Sequence, residues 1–177
     1  MKAKILKFPR LRQSYEWDCG ASAIQAVLAY YNFDVREEVI IKLAKTDQQG
    51  TLPAGLKKVA KAYKLKFTAG RMDLKDIKKY LDRRTPVILL LQAWAKKEKI
   101  IWENSWRDGH YVVAIGYDFR KIYFADPYNF RPTFLNYEEL DKRWHDIDRH
   151  GKKYFNWGMA VLGKPAADQL TRPVHMD

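Results

Sequence analysis

Thr85-Pro86-Val87-Ile88-Leu89-Leu90-Leu91 is the stretch on which the grammar of this chain turns. A short continuous apolar run with polar neighbours is the pattern of a strand buried on both faces. Upstream of it, apolar residues keep helical spacing. Ala23, Ile24, Val27, Leu28 and Tyr31 form one apolar helix face behind Cys19, and Val39, Ile40 and Leu43 mark a second helix over Val35 to Lys45. A third begins at Thr51, read as its cap, with Pro53 early in the first turn, where no N–H is needed. Asp73 caps a fourth, from Leu74 to Arg83. Downstream, the runs from His110 to Asp118 and from Ile122 to Asp126 are strand-like and separated by a few turn residues, so they predict an antiparallel hairpin. A short helix from Tyr137 to His145 and a strand from Phe155 to Leu162 follow, while Lys96 to Gly109 reads as a long exposed connection rich in Trp and charge. Helices first and an antiparallel sheet afterwards define an α+β architecture.

The chain of 177 residues suits a single domain, with a core from about residue 10 to 163 and flexible ends at residues 1–8 and after Gly163. A composition that is 47% hydrophobic and 14% aromatic supplies the apolar surface that a disordered chain lacks. One cysteine excludes an intramolecular disulfide, so its chemistry has to be read from its neighbourhood. The first ten residues contain no apolar signal region, and no apolar run reaches the roughly 20 residues that span a bilayer. No membrane span and a cytoplasmic location are the expectations. The net charge of +12 suits an anionic partner. However, Lys57, Lys58, Lys61, Lys64, Lys75, Lys78, Lys79, Arg83 and Arg84 are spread over helical segments without a nucleic-acid motif, so solvated helix faces are the better reading and nucleic-acid binding ranks last.

In Gln13-Ser-Tyr-Glu-Trp-Asp-Cys-Gly-Ala-Ser22, Asp18 is an N-cap type residue and Cys19 opens the first amphipathic helix. A thiol in a first helical turn meets a partial positive charge and free N–H groups, which favour the thiolate. Asp18 opposes part of that effect, so an imidazolium partner is expected. Among four histidines, His110 opens a hairpin strand whereas His145, His150 and His175 lie in or after the late helix and in the tail. Asp126 closes the neighbouring strand of the same hairpin, at the same edge, and is placed to hold the tautomer of His110. The two side chains share a face when paired residue numbers have an even sum and are separated when the sum is odd. Gln13, six residues before the thiol, carries an amide suited to a developing oxyanion, with the Cys19 N–H as a second donor. Gly20 has no side chain to obstruct an approach to the sulfur, and Trp94, Trp102 and Trp106 either wall a groove near His110 or cap the sheet edge.

These residues together resemble the bacteriocin-processing, double-glycine peptidase family of papain-like cysteine peptidases. The resemblance is carried by Gln13 and Asp18-Cys19-Gly20, Gly50-Thr51 to Gly55-Leu56, Thr85-Pro86-Val87, Gly109-His110-Tyr111-Val112-Val113, Ala125-Asp126-Pro127 and the helix within Leu135 to Trp144. It implies a papain-like fold and hydrolysis through an acyl-enzyme. Cys19 would attack, His110 would transfer the proton, Asp126 would orient His110 and Gln13 would stabilise the oxyanion. Gly20, Trp102, Trp106 and Gly109 are candidate substrate contacts. No metal or cofactor is implied. The implied partners are a peptide or protein substrate, such as a leader peptide ending in Gly-Gly, and a separate transporter. The rival readings are an inactive module gripping a peptide in the same cleft, and another Cys-His-Asp acyltransferase.

Overall fold

The computed structural model describes residues 3–96, 99–166 and 175–176. Its strands are β1 (Lys4–Ile5), β2 (Lys66–Arg71), β3 (Val87–Gln92), β4 (Gly109–Tyr117), β5 (Lys121–Ala125), β6 (Thr133–Asn136), β7 (His145–Ile147), β8 (Lys153–Phe155) and β9 (Trp157–Leu162). Its α-helices are α1 (Cys19–Tyr30), α2 (Glu37–Ala44), α3 (Pro53–Ala62), α4 (Leu74–Asp82) and α5 (Tyr137–Arg143), with a short 3-10 turn at Trp102–Asn104. The main sheet runs β2-β9-β3-β4-β5-β6 with every pairing antiparallel, and β1 adds a second partner at the end of β4. Strands β7 and β8 form a separate two-stranded ribbon.

The apolar run at residues 87–91 is a central strand with all its residues buried. Because side chains alternate across a strand, Ile88 and Leu90 join the core with α1, α2 and α3, while Val87, Leu89 and Leu91 join the one with α4 and α5. Strand β4 repeats this division: Tyr111, Val113 and Ile115 lie in the first core and Val112 and Ala114 in the second. A helix layer on each face therefore explains why neither strand shows an alternating pattern.

Several local expectations change. Helix α4 has the anticipated cap, a reciprocal box in which Asp73 accepts from the Asp76 N–H and Asp76 accepts from that of Asp73. Thr51 is not the cap of α3. Leu52 occupies that position without a side-chain bond, and the Thr51 hydroxyl instead meets that of Thr46 at 2.8 Å. The helical first half is interrupted by β2, an edge strand whose residues pair with the whole of β9. At the start of the chain, β1 pairs with β4 and Phe8 packs 5.1 Å from the ring of Tyr30, so residues 4–8 are tied to the core. Near the other end, Ala166 N–H donates to Tyr30 O, while residues 167–174 of the expected flexible tail lie outside the described residues.

Candidate active site

The segment that leads into Cys19 is held by a buried carboxylate. Asp18 is fully buried, and its side chain accepts from the backbone N–H groups of Ser14 and Tyr15 at 3.2 Å. It makes no side-chain cap bond, and its carbonyl begins the helical ladder by accepting from the Ser22 N–H at 2.9 Å. The capping expectation is thus corrected: Asp18 shapes the turn before the helix and leaves the N–H groups of the first turn to other partners. Burial raises its carboxyl above the ordinary range, against the lowering effect of its backbone donors. The Gln13 N–H donates to Pro127 O at 3.0 Å, which ties this turn to the residue after Asp126. The Gln13 side-chain amide donates to Tyr15 O at 2.7 Å.

Cys19, the first residue of α1, is buried, and so are His110 and Asp126. His110 Nε2 is 2.7 Å from Asp126 Oδ1, and the imidazole also hydrogen-bonds Cys19. With Nε2 engaged by the carboxylate, the other ring nitrogen is the one available to the sulfur. Burial by itself would depress the imidazole. The hydrogen bonds to Asp126 and Cys19, together with their charges, outweigh it and hold His110 at about 10. Burial likewise works to raise Asp126, and its bond and attraction to His110 win, so its carboxyl lies below the usual range. The carboxylate also accepts from the Tyr128 N–H at 2.9 Å, Trp94 Nε1 at 3.0 Å and the Thr133 hydroxyl at 3.2 Å. Four donors at one buried carboxylate fix its position and keep it ionised.

A β-bulge brings this pair onto one face. Beside the turn, Tyr117 pairs with Ile122 and Gly116 with Tyr123, an odd sum that would send His110 and Asp126 to opposite faces. Between Ala114 and Gly116 the register shifts, so that Ala114 faces Phe124 and Val113 faces Ala125, an even sum. Ile115, the extra residue, is buried in the α1 side of the core.

A cleft of about 90 Å³ opens at Cys19. One wall is the Gln49–Pro53 connection, the other is Asp146–Arg149 from β7 and the turn after it, and Leu90, Gly109 and Tyr111 lie between. Gly20 is buried, and a Cβ there would come within 2.6 Å of Thr51 Cβ and 2.9 Å of Tyr111, so its absent side chain lets α1 sit against that wall. A Cβ on Gly109 would lie 2.4 Å from Asp146 Oδ2, so the carboxyl group occupies the space over that glycine.

Trp102 and Trp106 do not line this cleft. The guanidinium of Arg143 lies 4.0 Å over Trp102, and Trp106 packs 4.5 Å from the ring of His145 and 5.5 Å from Phe155, where it braces the β7-β8 ribbon from outside. The aromatic that reaches the site is Trp94, through its bond to Asp126. In the Lys96 to Gly109 connection, Lys97 and Glu98 lie outside the described residues.

Gln92 and Asp146 escaped sequence reasoning. Gln92 is fully buried; its Nε2 donates to Asp146 Oδ1 at 2.8 Å and to His145 O at 3.2 Å, and its Oε1 accepts from the Asp108 N–H at 2.9 Å. Its signal was a polar residue closing an apolar strand. Burial, partly offset by the Ile147 N–H and Gln92 and reinforced by the charge of Asp148, pushes the Asp146 carboxyl up to about 6.

Residues 7–147 match the model of the peptidase C39 family. The pediocin PA-1 transport/processing ATP-binding protein PedD of Pediococcus acidilactici is 28% identical over 133 residues, which make up 75% of this chain and 17% of that longer protein. An uncharacterized protein of Methanothermobacter thermautotrophicus is 27% identical over 115 residues, or 65% of this chain and 68% of its own. Two solved structures share the fold. A putative C39-like peptidase from Bacillus anthracis has a TM-score of 0.71 at 16% identity, covering 93% of this chain and 100% of that one. A double glycine motif protease from an AMS/PCAT transporter, solved in complex with the leader peptide, has a TM-score of 0.67 at 20% identity, covering 90% and 94%. With a family match across most of its length and the papain-like fold of those domains, the chain belongs to the peptidase C39 family, the double-glycine peptidases.

Proposed function

We propose that this protein is a cysteine peptidase that cleaves a peptide or protein substrate after a Gly-Gly pair, through an acyl-enzyme on Cys19. The observation that carries the reading is a buried imidazole held by Asp126 on one side and hydrogen-bonded to the thiol at the head of α1 on the other. In the proposed reaction the Cys19 thiolate adds to the scissile carbonyl, and imidazolium His110 protonates the leaving amine as the C–N bond breaks. The neutral imidazole then takes a proton from water, which adds to the thioester carbon and releases the acid and the thiolate. Asp126 keeps the ring oriented throughout. The Cys19 N–H and Gln13 are the proposed oxyanion donors; the Gln13 amide has two N–H bonds, and one suffices for Tyr15 O.

A leader peptide as substrate, with a transporter as partner, rests on membership of the double-glycine family and on the relatives named above. Incubating the purified chain and its Cys19→Ala variant with peptides that contain or lack Gly-Gly tests both levels. The expected result is cleavage of Gly-Gly peptides by the wild type and a loss of at least about 10³-fold in the variant. Cleavage by both proteins would remove Cys19 from the mechanism, and equal cleavage of both peptide sets would remove the double-glycine preference.

A further inference from the structure

The wall of the Cys19 cleft formed by Asp146, Ile147, Asp148 and Arg149 belongs to β7 and the turn that follows it. The family match ends at Ile147, so the turn and the return strand of the β7-β8 ribbon lie beyond it. The ribbon is nevertheless firmly attached beside the proposed nucleophile. Arg149 hydrogen-bonds Asp47 and donates to Gly50 O at 2.8 Å, which latches it to the opposite wall. Gln92 holds Asp146 from below, and the hydroxyl of Tyr154 donates to Asp148 at 3.0 Å.

The charges of this wall do not cancel. Arg149 is already paired with Asp47, which leaves Asp148 and, above the value of about 6 to which burial lifts it, Asp146 as the remaining acidic charges of the lining. Asp148 lies below the usual carboxylate range: burial is outweighed by the backbone N–H groups of Lys152 and His150 and by Tyr154. A protein of net charge +12 thus carries an acidic spot beside its only thiol. Asp146 is the nearer candidate for contact with substrate because its carboxyl covers Gly109, the residue before His110.

We propose that Asp146, supported by Asp148, selects substrates that place a cationic side chain next to the scissile bond. The inference deepens the peptidase reading and rests on it for the identity of the cleft as a substrate site. A cleft of about 90 Å³ has room for the narrow end of an unbranched amine. A carboxylate held by a buried amide does not reorganise on binding, so the selectivity is built into the free protein.

The experiment uses fluorescein-labelled peptides in which Lys, Gln or Glu occupies, one position at a time, the three residues on either side of a central Gly-Gly pair. Binding is measured by anisotropy with Cys19→Ala protein, so that the readout does not require cleavage, and kcat/KM is measured with the wild type. At one position the Lys peptide should bind roughly tenfold more tightly than its Glu counterpart. Asp146→Asn should erase most of that ratio. The amide oxygen can still accept from Gln92, and an unchanged melting temperature would confirm that the variant folds. Asp148→Asn, which leaves the Gln92 contact intact, should lower the ratio by a smaller factor. Equal binding of Lys and Glu peptides at every position would overturn the inference, as would a preference that survives both substitutions. A binding preference without cleavage would support it while rejecting the peptidase reading.

Discussion

The proton inventory of the site depends on one residue above all, Asp126. His110 is held at about 10 by Asp126 and Cys19 against its own burial, and Asp126 is held low by His110. A base raised above its unfolded value of about 6.5 contributes stability that is fully present below that value and is lost as pH rises through about 10. An acid lowered below its ordinary value of 3.8 contributes stability that is present above that value and lost as pH falls through its depressed one. The ion pair is therefore intact across the whole neutral range. On the proposed reading, the alkaline limb of kcat/KM should lie near pH 10. Asp126→Asn should lower kcat/KM by about 10²–10⁴-fold and move that limb toward neutrality. Alkylation of Cys19 by iodoacetamide over the same pH range is an independent check, and a limb that stays in place would refute the assignment. The positions of Cys19 and His110 were legible because a helix start and a strand start can be read from local pattern. Asp146 and Gln92, 54 positions apart, were not, because only the folded chain makes them neighbours.

At the scale of elements, the register of β4 and β5 decides whether the site exists. The turn alone produces the wrong parity, and the bulge at Ile115 corrects it. Deleting Ile115 should let the hairpin pair regularly with Ala114 still opposite Phe124 and Val113 opposite Ala125, so that His110 and Asp126 stay on one face. The expected outcome is a folded protein whose peptide cleavage stays within about tenfold of the wild type, because the orienting carboxylate is kept. A loss as large as that of Asp126→Asn would show that the bulge does more than set the register. The hairpin itself was legible from its two apolar runs and short turn. Its bulge was not, because the one local mark, Gly116, equally fits the close approach of the Lys4 backbone that it meets in the fold. Strand β2 escaped for a different reason: Lys66-Phe67-Thr68-Ala69-Gly70-Arg71 is short, half-polar and set between two helices, and only pairing with β9 makes it a strand.

For the molecule as a whole, a strand buried on both faces could be read in advance from the apolar run at residues 87–91, whereas the second helix layer, with α4 and α5, shows only in the fold. What could not be foreseen was the closing role of the first residues. Strand β1 lies along β4 beyond β3, Leu6 N–H donates to Ile115 O at 2.7 Å, and Leu6 and Phe8 pack on the core. Removing residues 2–8 should cost about 2–3 kcal/mol of apolar burial. For a chain of this size that is a fall of roughly 4–12 °C in melting temperature, measurable by calorimetry. An unchanged transition would mean that the N-terminal strand contributes nothing to stability.

The thiol at the head of α1 is synthesised before the imidazole of β4. Cys19 leaves the ribosome ahead of the strand bearing His110 and the carboxylate at 126 by about ninety residues or more. Until those segments have folded back onto the first helix, the sulfur has no imidazole beside it. On the proposed reading, a growing chain is thus protected from its own chemistry until β4 and β5 are in place.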